Sequence, residues 1–433
     1  MKKRFLGFGF GVIQTGLFLH EAMRSGNFES FTVAEIEQDV VDRVRANGNS
    51  VTINVAGRDG VEQIELSDIH IFNPRVPADR EKIAQSISES DEMATAVPSV
   101  RTYGEGDQAS IASLLAGSLN SEKPQILYAA ENNNYAGEIL RNEILKSTGR
   151  EKLQHFQILD TVIGKMSGTV EGREEIDRLG LAPMTPEMTR AVLVEEFNRI
   201  LISRIYLPDF TRGIDVFRER RELLPYEEVK LYGHNAVHAM LGYMAYLKGY
   251  EVMSQIGDDE ELLSLGREAL VKESGAALIK KYGSLEDPLF STEGFEQYAD
   301  DLLARIVNPH LHDRVRRICR DPLRKLGYSD RLLGSMREAL KNGITPRLLA
   351  QGALAALEFV MLEGISLSGT DSASAEVGVV SAGPTPTSTD LDDASVRALL
   401  ERIWENDPAD EHREDCIRLI VQVAAKVKGG RSD

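Results

Sequence analysis

The chain has 433 residues, with 50 Lys and Arg against 68 Asp and Glu and a formal net charge of −18. That length holds two domains with full cores, and the charge excludes a nucleic-acid binder, which would carry a dominant basic face. No run of 18 apolar residues occurs, so no membrane span is expected. The two cysteines, Cys319 and Cys416, lie far apart and give neither a disulfide framework nor a thiolate metal site, which places the chain in the cytoplasm by default.

The N-terminus begins Met1-Lys2-Lys3-Arg4, a basic start like that of a signal peptide. The apolar stretch after it is broken by Gly7, Gly9, Gly11, Gln14 and Gly16, and so fits a nucleotide-binding turn better. Phe5 to Phe8 predict a strand, residues 7–16 a glycine-rich turn, and Ile13 to Arg24 a helix that Gly26 stops. Strand, turn and helix start make a pyrophosphate cradle: glycines admit the ligand to the backbone, and free amides and the helix dipole favour its charge. Gly9, Gly11, Val12 and Ile13 are the expected cofactor contacts. Gln14 stands where the usual fingerprint has its third glycine. The next strand, Phe31 to Ala34, ends in Glu35, a carboxylate placed for the adenosine ribose hydroxyls. It would repel a 2′-phosphate, and no arginine stands beside it, so NAD is expected rather than NADP.

Further strands are predicted at 50–55, 64–71, 93–97, 124–131 and 155–160, with helices at 37–46, 79–90, 109–119 and 135–147. The alternation argues for a doubly wound, mostly parallel sheet. The pair around Asn54 and Ile64, separated by Gly57-Arg58-Asp59-Gly60, reads as a hairpin elaboration. Ala96 and Val97 end one strand and Asn132 follows another, both at the carboxyl edge of the sheet where cofactor and substrate meet. From about Pro183 the strand signal fades and helical spacing of Leu, Ala and Met takes over. The expected fold class is therefore an α/β N-terminal Rossmann-like doubly wound domain, residues 1–210, plus a mostly α-helical C-terminal domain, residues 211–433. Residues 366–389, rich in Ser, Gly, Thr and Pro, predict a flexible loop or linker, and 395–404 and 413–427 two closing helices.

Within the helical part, Lys230, Asn235 and His238 fall within an arc of roughly 140° on one helix. Carbonyl–alcohol interconversion needs a base for the hydroxyl proton, a donor for the developing oxyanion and a group to fix the substrate. An ammonium, an amide and an imidazole on one face can supply these, although a polar helix face has the same spacing. Residues 314–331 carry seven cations (Arg314, Arg316, Arg317, Arg320, Arg324, Lys325, Arg331) against Asp321 and Asp330. Such a cluster suits a phosphate or a solvated surface. His310 and His312 lack a carboxylate at ligand spacing, so no metal is expected. Asp160 reads as a simple strand-end cap, His234 as a neighbour of the polar face, and Trp404 with Met240 to Met244 as core.

The chain resembles the polyol-specific long-chain dehydrogenase/reductase family, from the glycine turn to about residue 345. The resemblance rests on the Lys230–Asn235–His238 helix, on Glu273-Ser274-Gly275-Ala276 with Leu278-Ile279-Lys280-Lys281-Tyr282-Gly283, and on Asn308-Pro309-His310-Leu311. It continues through Arg320-Asp321-Pro322-Leu323-Arg324-Lys325-Leu326 to Asp330-Arg331-Leu332. It implies metal-independent hydride transfer between NAD and a polyol or ketose. Lys230 then matches the general base, Asn132 and Asn235 the amides that hold the substrate oxygen, and His238 the histidine that orients the hydroxyl. Arg317 and Lys325 match basic residues of the substrate pocket, to which Arg320 and Arg324 add. Where the family often reads Val-Asp-Arg-Ile, this chain reads Ile163-Gly164-Lys165-Met166.

The resemblance implies a small-molecule substrate, mannitol 1-phosphate with fructose 6-phosphate first, and a monomer or small homo-oligomer. A reductase of free ketoses or keto-sugar acids, and an NAD-binding regulator without turnover, remain open.

Overall fold

The computed structural model describes residues 2–104, 108–149, 153–197, 199–365, 391, 393–407 and 410–429, with side chains up to 426. The segment 366–389, expected as a loop or linker, lies outside them. The chain divides into two units, Met1–Leu224 and Pro225–Asp433. The division falls later than the expected 210/211 because two short strands, β11 (Leu201–Ser203) and β12 (Arg218–Arg220), still pair into the large sheet of the first unit.

In the first unit, β1 (Lys3–Phe8), β2 (Phe28–Ala34), β5 (Ile69–Phe72), β6 (Glu92–Thr95), β7 (Gln125–Ala129) and β8 (Phe156–Val162) lie parallel in the order β5-β2-β1-β6-β7-β8. In chain order that is the 3-2-1-4-5-6 arrangement of dinucleotide-binding sheets. The order reverses between β1 and β6, and the glycine turn leaves β1 at that point. Helices α1 (His20–Ser25), α2 (Gln38–Ala46), α3 (Pro77–Glu89), α4 (Ile111–Ser118) and α5 (Ala136–Leu145) supply the crossovers. A π-helical stretch, Gln14–Leu19, opens the first of them, and Gly26 closes it in the left-handed conformation, φ 68°.

A second sheet departs from expectation. β3 (Val51–Ala56), β4 (Val61–Leu66), β9 (Ser167–Glu171) and β10 (Arg190–Glu195) form the order β4-β3-β10-β9, with α6 (Arg173–Arg178) between β9 and β10. The β3–β4 pair is the expected antiparallel hairpin. The single strand expected at 64–71 is instead two strands in different sheets, separated where Asp68 adopts a left-handed φ of 58°. Strand structure also persists past Pro183: Arg190-Ala191-Val192-Leu193-Val194-Glu195 is a buried strand, and so short an apolar run does not distinguish strand from helix by period.

The cofactor-type helix lies between the two sheets, touching β1 and β6 on one side and β3 and β10 on the other. Leu17, Phe18 and Leu19 are therefore all fully buried, each contributing about 1.5–3 kcal/mol. The close approach requires glycine at 16, where a Cβ would lie 2.4 Å from Val194 Cγ1. Gln14 is tolerated at the third-glycine position because Gly7 opposite has no side chain: a Cβ there would lie 2.2 Å from Gln14 Nε2.

The second unit is helical. Short α7 (Leu224–Glu228) passes through a π-helical stretch, Val229–His234, into α8 (Asn235–Leu247). α9 (Glu260–Glu268) passes likewise through Ala269–Gly275 into α10 (Ala276–Tyr282). Then come α11 (Thr292–Ile306), α12 (Val315–Ile318), α13 (Pro322–Lys325), α14 (Arg331–Lys341) and α15 (Arg347–Leu362). The expected closing pair follows as α16 (Asp393–Ile403) and α17 (Arg413–Gly429). α8 packs on α15, α12 and α14, and its Met240, Leu241 and Tyr243 are fully buried core, as expected. Trp404 is buried too, its Nε1 donating to the Leu326 carbonyl at 2.8 Å. Among the described residues no helix is long and apolar enough to cross a membrane.

Gly16→Ala should destabilise the protein by about 1–3 kcal/mol through overpacking against Val194, and Val194→Ala in the same chain should recover part of the loss. Chemical denaturation of the three variants checks this. A Gly16→Ala protein as stable as the parent would contradict the close packing.

Candidate functional site

At the end of β1, Gly9 has φ 85° and a Cβ there would sit 2.6 Å from the Ala96 carbonyl oxygen, so any other side chain would push the turn off the β6 end. Backbone bonds fix the geometry: Gly9 N–H donates to Ala34 at 2.8 Å and Ala96 N–H to Phe8 at 3.0 Å. Gly11 is exposed with nothing within 4 Å of its Cβ position, which leaves the first helical amides, Val12 and Ile13 included, open to an anionic ligand. Glu35 stands half-buried just after β2 and accepts the Glu37 N–H at 2.8 Å. These residues fit a pyrophosphate and an adenosine ribose.

Ala96 and Val97 follow β6, and Asn132 lies exposed in the turn after β7. The sequence did not single out Glu131, which anchors this edge. It is buried, accepts Thr95 Oγ1 at 2.9 Å and the Val97 N–H at 3.0 Å, and takes the Tyr103 hydroxyl as a third donor. Burial raises its pKa while these three donors pull the other way. One carboxylate thus ties the β6 loop to the turn that carries Asn132. Asp160 accepts the Gly137 N–H at 2.8 Å at the start of α5, the cap expected of it.

Lys165 has a structural task. It is 6% exposed, and its ammonium donates to the carbonyls of Glu195 and of Phe197, the latter at 2.9 Å. At Gly164 a Cβ would meet nothing nearer than Phe197 Cε1 at 3.8 Å, so no crowding explains the missing aspartate.

In the second unit Lys230 lies in the π-helical stretch, whose wide turn shows in the Asn235 N–H donating to the Lys230 carbonyl. The Tyr232 carbonyl of this stretch accepts Ser274 Oγ at 2.8 Å and lies 3.1 Å from Ser335 Oγ, whose single proton it shares with the Arg331 carbonyl. This is the physical content of the Glu273-Ser274-Gly275 motif. Its Glu273, buried, accepts the N–H groups of Leu348 and Leu349, both at 2.8 Å, and so caps α15. Burial first, and the Arg331 guanidinium second, lower the Lys230 pKa to about 8, against an upward pull from Glu227.

Asn235 is half-buried and His238 nearly buried on the same helix. His234 packs its ring 5.8 Å from that of His238, and burial followed by the surrounding cations holds it neutral. His238 Nε2 lies 3.2 Å from Asp313 Oδ2, while Arg317 grips Asp313 Oδ1 through Nε (2.9 Å) and Nη2 (2.7 Å). Sequence reasoning missed Asp313, although its i, i+4 spacing to Arg317 was a usable signal.

The four cations expected at the substrate have different surroundings. Arg317 is committed to Asp313; Arg324 bonds Asp330 at 3.1 Å and approaches Asp321 at 3.5 Å; Arg320 is exposed. Lys325 is buried, donates to the Ile318 carbonyl at 2.5 Å, and burial with the Arg331 and Arg324 charges lowers its pKa to about 8. His310 and His312 flank a tight turn, and among the described residues no cluster could hold a metal ion.

Residues 222–395 match the mannitol dehydrogenase C-terminal domain. The chain is 29% identical, over 81% of its length and 87% of the relative's, to a mannitol-1-phosphate 5-dehydrogenase of Halalkalibacterium halodurans. Its fold is that of a substrate-free D-sorbitol dehydrogenase (TM-score 0.74, 15% identity, 99% and 93% of the two chains). It is also that of a Pseudomonas fluorescens mannitol 2-dehydrogenase solved with NAD and D-mannitol (TM-score 0.67, 15% identity, 99% and 92%).

Isotope-labelled reductive methylation followed by NMR titration should place the Lys230 midpoint at about 8, well below the value of about 10.4 for a solvated lysine. Arg331→Met should raise it. A Lys230 signal that titrates with the surface lysines would contradict this environment.

Proposed function

We propose that the chain is an NAD-dependent, metal-independent oxidoreductase that interconverts a sugar-alcohol phosphate and its ketose phosphate, with mannitol 1-phosphate and fructose 6-phosphate as the pair. The observation that carries this reading is Lys230, a lysine poised near neutrality by burial and Arg331 and sharing one helix with Asn235 and His238. When bound, NAD supplies the hydride acceptor, and the first unit offers Gly9, Gly11, Val12, Ile13, Glu35, Ala96 and Val97 to hold it.

Neutral Lys230 Nζ takes the proton of the substrate hydroxyl as hydride leaves the same carbon. The Asn235 amide donates to the oxygen as charge develops on it. His238 orients the hydroxyl. In the reverse direction the Lys230 ammonium returns the proton. Of the four cations, Arg320 and Arg324 are assigned to the phosphate, while Arg317 and Lys325 supply positive potential from Asp313 and from the helix interior.

Lys230→Ala should lower turnover on the order of 10²–10⁴-fold while NADH affinity, measured by fluorescence titration, stays near that of the parent. In the parent, polyol oxidation should rise with pH and level off above about 8 as Lys230 loses its proton. Unchanged oxidation by the variant would remove Lys230 from the mechanism.

Fructose 6-phosphate should be reduced about ten- to a hundredfold more efficiently than fructose, as one charged phosphate contact worth roughly 1.5–3 kcal/mol implies. Arg320→Gln with Arg324→Gln should erase most of that margin through KM. Preference for free fructose or a keto-sugar acid would replace the phosphate assignment.

The parent should prefer NAD to NADP, since Glu35 bonds ribose hydroxyls and repels a 2′-phosphate. Glu35→Ser with Ile36→Arg should shift the kcat/KM ratio toward NADP. Equal efficiency of the parent with both would contradict the role of Glu35.

A further inference from the structure

His238 cannot be positioned by its own helix alone, because an imidazole rotates about two side-chain bonds and its neighbour His234, whose pKa burial pushes well below the ordinary value, offers no charge to hold it. What faces its Nε2 is Asp313, a carboxylate with 4% exposure. The two oxygens of that carboxylate are divided between partners. Oδ1 is gripped by both Nε and Nη2 of Arg317, and Oδ2 is left to the imidazole at 3.2 Å. The approach is off the line of a good hydrogen bond, so both facing atoms are buried with no hydrogen-bond partner. A buried polar pair in that state is completed by a small ring rotation.

The carboxylate is also on fixed backbone. Val252 and Arg314 form an antiparallel bridge; Met253 N–H donates to the Asp313 carbonyl at 2.8 Å and Val315 N–H to Glu251 at 2.9 Å. The following α12 is pressed against α8, since a Cβ at Gly242 would lie 2.4 Å from Ile318 Cγ2. Asp313 therefore holds its place relative to the helix that carries His238.

We propose that Asp313 is the positioning residue for His238: its Oδ2 takes the Nε2–H, which fixes the tautomer and turns Nδ1 toward the substrate hydroxyl, and Arg317 holds the carboxylate for that purpose. A carboxylate that accepts from one ring nitrogen determines what the other can do, because neutral imidazole has one donor and one acceptor. Nδ1 is then an acceptor, which suits a substrate O–H. This inference rests on the dehydrogenase reading only for its kinetic consequence.

The test joins two readouts on the full-length protein. In ¹⁵N-histidine NMR of the ligand-free parent, the neutral His238 ring should carry its proton on Nε2, and isosteric Asp313→Asn should shift population toward Nδ1–H. In assays with fructose 6-phosphate and NADH, Asp313→Asn should lower kcat about ten- to a hundredfold, less than loss of a general base, with the KM for NADH unchanged. Combined with His238→Asn it should add little further loss, since both changes break one unit. An Nδ1–H tautomer in the parent overturns the proposal even if Asp313→Asn fails to fold. So does a folded Asp313→Asn enzyme with parental kcat, or losses that multiply in the double variant. If no polyol or ketose is turned over, the kinetic reading fails, and the tautomer still decides the positioning role.

Discussion

A lysine can act as a base near neutral pH only where its charged form is made unfavourable, and the second unit meets that condition at Lys230. Burial removes water from the ammonium, and the Arg331 guanidinium adds like-charge repulsion. Each would be destabilising by itself; together they bring the pKa to about 8. The wide turn that seats Lys230 is tied to other segments at the Tyr232 carbonyl, which accepts Ser274 and lies within reach of Ser335. Each such side-chain bond contributes about 0.5–1.5 kcal/mol and holds the stretch carrying Lys230 against the segments of Ser274 and Ser335.

The first unit solves a different problem, that of holding a flexible glycine turn against a sheet. The helix after the turn is enclosed between two sheets and so cannot drift from the β1 end. Gly9 lets the turn lie against the Ala96 carbonyl, and Glu131 ties the β6 loop to the next turn. Gln14 shows how far such a motif can vary: the side chain at the third-glycine position is accommodated by removing one from β1, at Gly7.

The doubly wound, mostly parallel sheet was legible because glycine turn, acidic strand end and alternating periods all point the same way. The polar helix was legible as a face, and Lys230, Asn235 and His238 do lie on one continuous helical run. The second sheet was not: β10 is a short fully buried strand, and β9 has no apolar alternation that would mark it. The basic stretch misled in a specific way, since sequence gives the count of cations but not their partners. Arg317 proves to be bound to Asp313, and Lys325 points into the core. Glu131 escaped notice because a buried carboxylate is recognised by its surroundings, and the spacing of Asp313 to Arg317 does not by itself place it beside His238.

The two serine contacts on Tyr232 have a kinetic side. Ser274 and Ser335 lie 42 and 103 residues along the chain from the carbonyl they bind. Bringing such distant segments together is an entropically costly, late step of folding. Until it is complete Lys230 lacks the burial that lowers its pKa. A partly folded second unit would thus carry Lys230, Asn235 and His238 on one segment without the lowered basicity of the lysine, so the Lys230 midpoint followed during refolding reports long-range closure rather than helix content.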